Sequence, residues 1–249
     1  MSPPLFFLHG YAGHARSWSS VEGLLPGRRA NAASLYGHDP DFAVTASITF
    51  EDQVARIVEA LPAERVRLVG YSLGGRVALG VLALAPSRIA SAVIISANPG
   101  LASAEERRTR VAADAAWATL LLERGLEAFV EAWEAQPLFA SQARAPAAAL
   151  ATQRALRLRH RPESLARAMT SLGLGVMPDY TPSLARMDLP VDLVVGALDP
   201  KFVASAERML TLLPRATLHT IPGAGHNVVL EQPAGLARVL DRDPVTSKG

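Results

Sequence analysis

Residues that could do chemistry together stand at three places in the chain. Val66-Arg67-Leu68-Val69-Gly70-Tyr71-Ser72-Leu73-Gly74-Gly75-Arg76 sets a G-x-S-x-G pentapeptide between a strand-like run and a helix start. Small residues at Gly70 and Gly74 let the chain turn sharply enough to lift the Ser72 hydroxyl above a sheet. The bare pentapeptide arises by chance in about one chain in ten of this length, so the flanking strand and helix carry the reading. A serine hydroxyl is a poor nucleophile or base until a histidine held by a carboxylate takes its proton. Asp199 follows the run Val191-Asp192-Leu193-Val194-Val195-Gly196-Ala197-Leu198, and His226 ends the Gly-rich loop Ile221-Pro222-Gly223-Ala224-Gly225-His226. Asp192 is the rival acid, but it stands at the start of its strand, the wrong end of the sheet. Charge developing on a reacting oxygen needs two backbone N–H donors. Leu73, next after the serine, supplies one, and Tyr11 in His9-Gly10-Tyr11-Ala12-Gly13 supplies the other. His9 itself reads as a brace for that loop.

Elements able to position these residues can be read from the hydrophobic pattern. Strands are expected at Leu5 to His9, Ala30 to Leu35, Val66 to Tyr71, Ile89 to Ser96, Val191 to Ala197 and Ala216 to Ile221. Helical stretches separate them, which is the α/β pattern of a parallel sheet with helices on both faces. Gly74 to Ala85 is apolar on nearly every side and reads as a helix buried against the sheet. The strands stop near Ser96 and resume near Val191. Between them Asn98 to Met187 has a helical composition broken at Pro137, Pro146, Pro162, Pro178 and Pro182, as expected of a cap over the strand ends. The division expected is a core of 1–98 and 187–245 with a helical cap of 99–186, and Thr246 to Gly249 reads as a loose tail.

Composition narrows the function classes. The chain has 249 residues, 49% of them hydrophobic, enough for a sizeable core. Its 25 basic and 23 acidic residues leave a formal charge of +2, which argues against a diffuse nucleic-acid surface. Arg accounts for 23 of the 25 basic residues, and Arg is the side chain whose planar fork grips carboxylates. Without cysteine there is no disulfide, thiolate metal site or cysteine nucleophile. The first ten residues lack the basic n-region of a signal peptide, and no apolar run is long enough to cross a bilayer, so a soluble cytoplasmic protein without membrane partners is expected. His14, His38, His160 and His219 show no metal-ligand spacing and read as surface or packing residues. Gly173-Leu174-Gly175 lacks a third glycine and a preceding strand, so no dinucleotide site is expected.

Order and motifs together resemble the α/β-hydrolase superfamily over essentially the whole chain, with its usual first two strands having no counterpart. A closer resemblance lies in the cap. Asn98-Pro99-Gly100-Leu101 with Glu105, Arg107, Arg110 and Asp114, then Trp133 with Gln136-Pro137-Leu138-Phe139-Ala140-Ser141, is similar to the 2-succinyl-6-hydroxy-2,4-cyclohexadiene-1-carboxylate synthases of menaquinone biosynthesis. Ser171-Leu172-Gly173, Met177-Pro178, Asp199-Pro200-Lys201-Phe202 and Ala224-Gly225-His226-Asn227 extend the likeness. The resemblance implies a lyase that removes pyruvate from an enolpyruvyl cyclohexene carboxylate, using no cofactor or metal. Ser72, activated by His226 and Asp199, would abstract a ring proton rather than form an acyl-enzyme. It also implies that Tyr71, Arg76, Arg110, Trp133 and Arg154 bind the substrate.

Charge placement agrees with a small anionic substrate. Between Ala135 and Pro162 stand Arg144, Arg154, Arg157, Arg159 and Arg161 with no acid among them, a cap suited to steering a polycarboxylate. Of these, Arg157, Arg159 and Arg161 read as a solvated helix face. The loop Ser34-Leu35-Tyr36-Gly37-His38-Asp39-Pro40 departs from the superfamily's Pro-Gly-x-Gly pattern and is expected to alter the pocket wall. Two other readings stay open: a serine carboxylesterase or carbon–carbon bond hydrolase with the same triad, and a non-catalytic binding protein on the same scaffold.

Overall fold

A computed structural model describes residues 2–242. The proposed tail at Thr246 to Gly249, and the last three residues of the expected core, lie outside the described residues. Six strands form one all-parallel sheet in the order β2-β1-β3-β4-β5-β6. They are β1 Leu5–Leu8, β2 Ala30–Ala33, β3 Val66–Tyr71, β4 Ile89–Ile95, β5 Val191–Gly196 and β6 Ala216–Ile221. Helices α1 Ser19–Glu22, α2 Phe50–Ala60 and α3 Leu73–Leu84 connect the first strands. Between β4 and β5 come α4 Ala104–Glu134, the 3-10 segment Pro137–Arg144, α5 Ala147–Arg157, α6 Pro162–Ser171 and α7 Thr181–Leu184. After β5 follow α8 Pro200–Leu212, α9 Val228–Glu231 and α10 Pro233–Asp241.

Strands of a parallel sheet covered on both faces read as continuous apolar runs, and every residue of Leu5–Leu8 is buried. The sheet parts two apolar layers. One gathers α2 and α3 against Leu68, Ile94 and Leu193. The other stacks Trp18 on Phe7, ring centres 4.5 Å apart, and adds α10 through Leu236 and Leu240. Helix α3 buries Leu73, Val77, Ala78, Leu79, Val81 and Leu82, as its unbroken apolar composition requires. At the N-terminal edge of the sheet Arg67 is fully buried and donates to Asp192 Oδ2 at 2.6 Å, while Asp192 Oδ1 meets His219 Nε2 at 2.8 Å. Asp192 thus neutralises a buried cation far from the strand ends that carry the chemistry.

A third apolar cluster belongs to the cap. Leu121, Phe129, Val130, Leu165 and Met169 pack together, and Ala12 of the loop after β1 is part of the same cluster. Helix α4 is interrupted at Gly125, whose φ of 78° and ψ of −179° lie in a region open to glycine alone. The break separates an arm carrying Arg110, Asp114 and Trp117 from an arm carrying Phe129, Trp133 and Glu134. Among the described residues no helix is long and apolar enough to cross a membrane.

Candidate active site

Parallel strands place all their C-terminal ends on one side, and the loops leaving those ends converge there. Ser72 follows β3, Asp199 lies three residues beyond β5, and His226 comes five residues beyond β6. Ser72 Oγ donates to His226 Nε2 at 3.1 Å, and His226 Nδ1 donates to Asp199 Oδ2 at 3.0 Å. Asp199 is buried and uses its other oxygen to cap α8 through the Phe202 amide at 3.3 Å. Three residues separated by 127 and 27 positions in sequence are thus brought into one hydrogen-bonded line.

Ser72 has φ 52° and ψ −108°, a conformation that costs about 1–3 kcal/mol for a residue with a Cβ. The surroundings enforce it. The Ser72 amide donates to Ile95 O at 2.9 Å, and the Gly74 amide to His9 O at 3.0 Å. A Cβ on Gly74 would lie 2.2 Å from Leu8 O, and one on Gly70 would lie 2.3 Å from Gly74 O. Only glycine at both positions lets β3, α3 and the loop after β1 approach this closely.

That approach also brings the loop carrying Tyr11 beside the elbow, where the two oxyanion donors are expected. Leu73 opens α3, where helix geometry leaves the first amides without an intrahelical acceptor. Tyr11 lies in the loop after β1, next to Gly10, where an added Cβ would come within 3.5 Å of Ser72 Cβ. His9 holds the loop: its Nδ1 donates to Gly10 O at 2.8 Å, and its Nε2 accepts from the Leu35 amide at 3.1 Å. Burial pushes the His9 imidazole down to about 3, so the ring stays neutral. His38 and His160 are buried beside it and burial lowers both, His160 to about 4. The His38 ring lies 5.0 Å from His9, 5.1 Å from Tyr11 and 5.7 Å from His160. The Tyr11 phenol is a feature the sequence did not disclose. It donates to Leu165 O in α6 at 2.8 Å and so ties the oxyanion loop to the cap.

Above the triad lies a cavity of about 1140 Å³. Its wall includes Arg16, Arg76, Arg110, Arg157 and Lys201, and among the described lining residues a single carboxylate, Asp114. Burial pushes the Arg76 guanidinium down to about 9, and it donates to Leu172 O at 2.9 Å rather than to a carboxylate. A cation so desolvated gains from an anion brought beside it. Arg110 Nε donates to Asp114 Oδ1 at 2.8 Å, while Asp114 Oδ2 is packed against Gly173 without a hydrogen-bond partner. Burial raises the Asp114 carboxyl despite both neighbouring arginines. Trp133 stacks on Phe129 at 5.4 Å and leaves its indole N–H without an acceptor. Tyr71 lines the cavity 5.6 Å from the His226 ring, and Phe202 covers that ring at 4.5 Å.

Three features expected of the wall lie elsewhere in the structure than the sequence suggests. Arg154 is not among the lining residues. Its side chain is 43% exposed and its Nη1 donates to Glu134 Oε2 at 2.5 Å. Arg157, expected on a solvated face, has a side chain only 5% exposed, bonds the other Glu134 oxygen at 2.9 Å, and lies 5.7 Å over the Phe139 ring. Arg159 and Arg161 are exposed as expected. Likewise the loop Tyr36 to Pro40 does not form the cavity wall. Part of it lines a separate depression of about 240 Å³ with Gln53 and Arg56, and its His38 packs against Tyr11 and His9 of the loop after β1. Sequence reasoning also missed a relay between cap and triad: Asn227 Nδ2 donates to Gln153 Oε1 at 2.8 Å, and Gln153 Nε2 to Gln142 Oε1 at 2.9 Å.

Comparison with known proteins follows this geometry. The family model described as "Alpha/beta hydrolase family" matches residues 5–239. A Bacillus subtilis (strain 168) protein, provisionally named as a 2-succinyl-6-hydroxy-2,4-cyclohexadiene-1-carboxylate synthase, is 34% identical over 94% of this chain and 87% of its own length. The 2-succinyl-6-hydroxy-2,4-cyclohexadiene-1-carboxylate synthase of Enterobacter sp. (strain 638) is 33% identical over 96% of this chain and 90% of its own. Among solved structures, MenH from S. aureus superposes with a TM-score of 0.90 at 29% identity, covering 96% of this chain and 91% of that one. A thermophilic esterase from Thermogutta terrifontis, at 23% identity and a TM-score of 0.82, shares the fold.

Proposed function

Because the chain belongs to the alpha/beta hydrolase family, among the 2-succinyl-6-hydroxy-2,4-cyclohexadiene-1-carboxylate synthases, we propose that it eliminates pyruvate from 2-succinyl-5-enolpyruvyl-6-hydroxy-3-cyclohexene-1-carboxylate. Product and substrate differ by a shift of unsaturation round the ring, which fixes the electron flow. The proton removed is the one on ring carbon 2, acidified by the neighbouring succinyl ketone. Its electron pair forms the 2,3 double bond, the 3,4 double bond moves to 4,5, and the carbon–oxygen bond at carbon 5 breaks. Enolpyruvate leaves and takes up a proton to become pyruvate.

In this reading Ser72 Oγ accepts the ring proton as its own proton passes to His226 Nε2, and Asp199 supports the imidazolium through Nδ1. The amides of Leu73 and Tyr11 hold the charge that develops on the ketone oxygen. Arg76, Arg110 and Arg157, with the Trp133 indole and the Tyr71 ring, grip the carboxylates. Residues 99–186 act as the cap that brings the arginines over the triad. The observation carrying this most directly is the cavity wall, five cations against one carboxylate, over a hydrogen-bonded triad. A water-borne polycarboxylate suits the cytoplasmic setting expected from the sequence.

The test is release of pyruvate from the purified precursor, followed by NADH oxidation with lactate dehydrogenase. No release at enzyme levels adequate for a family member would overturn the reading. The same triad spacing also serves acyl transfer, which keeps a serine carboxylesterase or carbon–carbon bond hydrolase as the second reading. A burst of product from an activated ester, with rapid stoichiometric labelling of Ser72 by a fluorophosphonate, would favour it.

A further inference from the structure

The catalytic histidine stands where the sheet can no longer hold the backbone. β6 ends at Ile221, and four residues of Pro-Gly-Ala-Gly follow before His226. Those glycines are required: Gly223 has φ 73°, and a Cβ on Gly225 would fall 2.0 Å from Ser141 Oγ. Beyond Ile221 the segment keeps one backbone bond to the chain leaving β5, from the Leu198 amide to Ala224 O at 2.8 Å, and that bond holds the loop two residues short of His226 without fixing the direction in which His226 leaves it. Yet the imidazole must meet Ser72 and Asp199 at once, at 3.1 and 3.0 Å.

Glu231 supplies what the loop lacks. It is the last residue of α9, and its carboxylate turns back on the loop. One oxygen, Oε2, accepts from the Gly225 amide at 2.8 Å; the other, Oε1, accepts from the Asn227 amide at 3.1 Å. These are the two amides on either side of His226. We infer that Glu231 is a positioning residue for His226, its single carboxylate clamping the backbone on both sides of the catalytic imidazole. Both bonds are charge-assisted, the stronger kind. Two points held by one rigid planar group fix the residue between them in direction as well as place. Glu231 touches no reacting atom and is not itself among the residues that line the cavity. Because it acts on the triad itself, the role holds whichever reaction the triad performs.

Glu231→Ala and the near-isosteric Glu231→Gln test this. The carboxamide of Glu231→Gln keeps one acceptor oxygen and turns an NH2 toward the other amide, so one side of the clamp is lost without loss of volume. A misplaced catalytic group typically costs about 10²-fold in rate. The expected result is a fall in kcat of that order for Glu231→Ala and a smaller fall for Glu231→Gln, with KM within about twofold of wild type in both. Proton NMR gives a readout independent of substrate: the far-downfield Nδ1 proton of His226, bonded to Asp199, should shift and broaden in both variants while their thermal midpoints keep Glu231→Gln folded at the assay temperature. Should Glu231→Ala fail to fold, Glu231→Gln decides alone. A wild-type kcat and an unmoved Nδ1 proton in folded Glu231→Gln would overturn the inference, as would a loss expressed in KM alone.

Discussion

Ser72, Asp199 and His226 each follow a strand of one sheet, so their spacing is set by the ladders between β3, β4, β5 and β6 and by the buried layers on both faces. Arg110, Arg154 and Arg157 ride on cap helices. Besides apolar packing, which also sets Ala168, Leu172, Met177 and Leu184 into the core beside α2 and α3, the cap meets the body through side-chain bonds such as Tyr11 to Leu165, Asn227 to Gln153 and Arg161 to Pro40. A ladder contact is lost only with the sheet, whereas one such side-chain bond contributes about 1 kcal/mol and can be lost alone. The proposed proton transfer is therefore seated in the rigid layer, and the proposed ion recognition in the layer that can be altered piecemeal.

That contrast predicts where damage is greatest. Ser72→Ala should lower pyruvate release by about 10³-fold or more, since a general base is removed from an otherwise intact site. Ser72→Gly should lose the same activity while raising stability by about 1 kcal/mol, because glycine accepts φ 52° without strain. A Ser72→Gly protein less stable than Ser72→Ala by urea denaturation would show that the elbow is not strained.

The junction between the layers should be acid-sensitive. His9, His38 and His160 are held neutral by burial, with folded values of about 3 for His9 and about 4 for His160. In the unfolded chain each takes a proton near pH 6.5. The unfolded state therefore binds more protons as pH falls below 6.5, and the stability present above that pH is lost on the way to pH 4. Each histidine contributes a slope of up to about 1.4 kcal/mol per pH unit. Urea midpoints between pH 7 and 4.5 should show it, and His160→Asn should flatten the slope by roughly a third. An unchanged slope in that variant would remove His160 from the account.

Within the cap, two arginines three residues apart should differ. Arg157→Ala removes a buried guanidinium from the wall and should raise KM by about tenfold or more, on the scale of a charge-assisted hydrogen bond of about 1.5–3 kcal/mol. Arg154→Ala removes a half-exposed one outside the wall and should change KM by less than about threefold. Equal effects in steady-state kinetics would mean that the two share the ligand. The smallest effect belongs to Tyr11→Phe, which keeps the ring and the backbone donor but breaks the bond to Leu165. It should cost about 1 kcal/mol in urea denaturation with kcat nearly unchanged. A large fall in kcat would show that this tie also holds the oxyanion donor in place.

The same division explains what could be read without coordinates. The inner strands β1, β3, β4 and β5 are buried and announce themselves as short apolar runs, the half-buried edge strands β2 and β6 are legible from their place in the alternation with helices, and the elbow's glycines mark a turn that only glycine can make. Asp199 could be preferred to Asp192 from position along a strand alone. The cap arginines could not be separated that way. Arg154 and Arg157 are neighbours on one face of α5 by helical spacing, so periodicity assigns them the same side. Only their depth along the helix, about 4.5 Å apart in rise, decides which meets the cavity, and that depends on how α5 lies against Glu134 and Phe139. Arg157 also has a partner, Glu134, that lies 23 residues away, beyond any local pattern. The loop at Tyr36 to Pro40 was legible as unusual but not as remote, because distance from a site is not encoded in the segment itself.

Gly125 gives the cap a property that the contact pattern alone does not express. An unbroken helix from Ala104 to Glu134 would be about 46 Å long, and each residue inserted in it would rotate everything beyond by 100°. The break at Gly125 ends that regular continuation and lets the second arm leave on an axis of its own. A Cβ there would meet nothing within 4 Å, so glycine is needed at this position for its backbone angle and not for want of space. The turn folds Trp117 of the first arm back against Phe129 and Trp133 of the second, ring centres 5.8 and 5.2 Å apart, so one residue without a side chain lets a single helical segment present both a charged and an aromatic side to the same cavity.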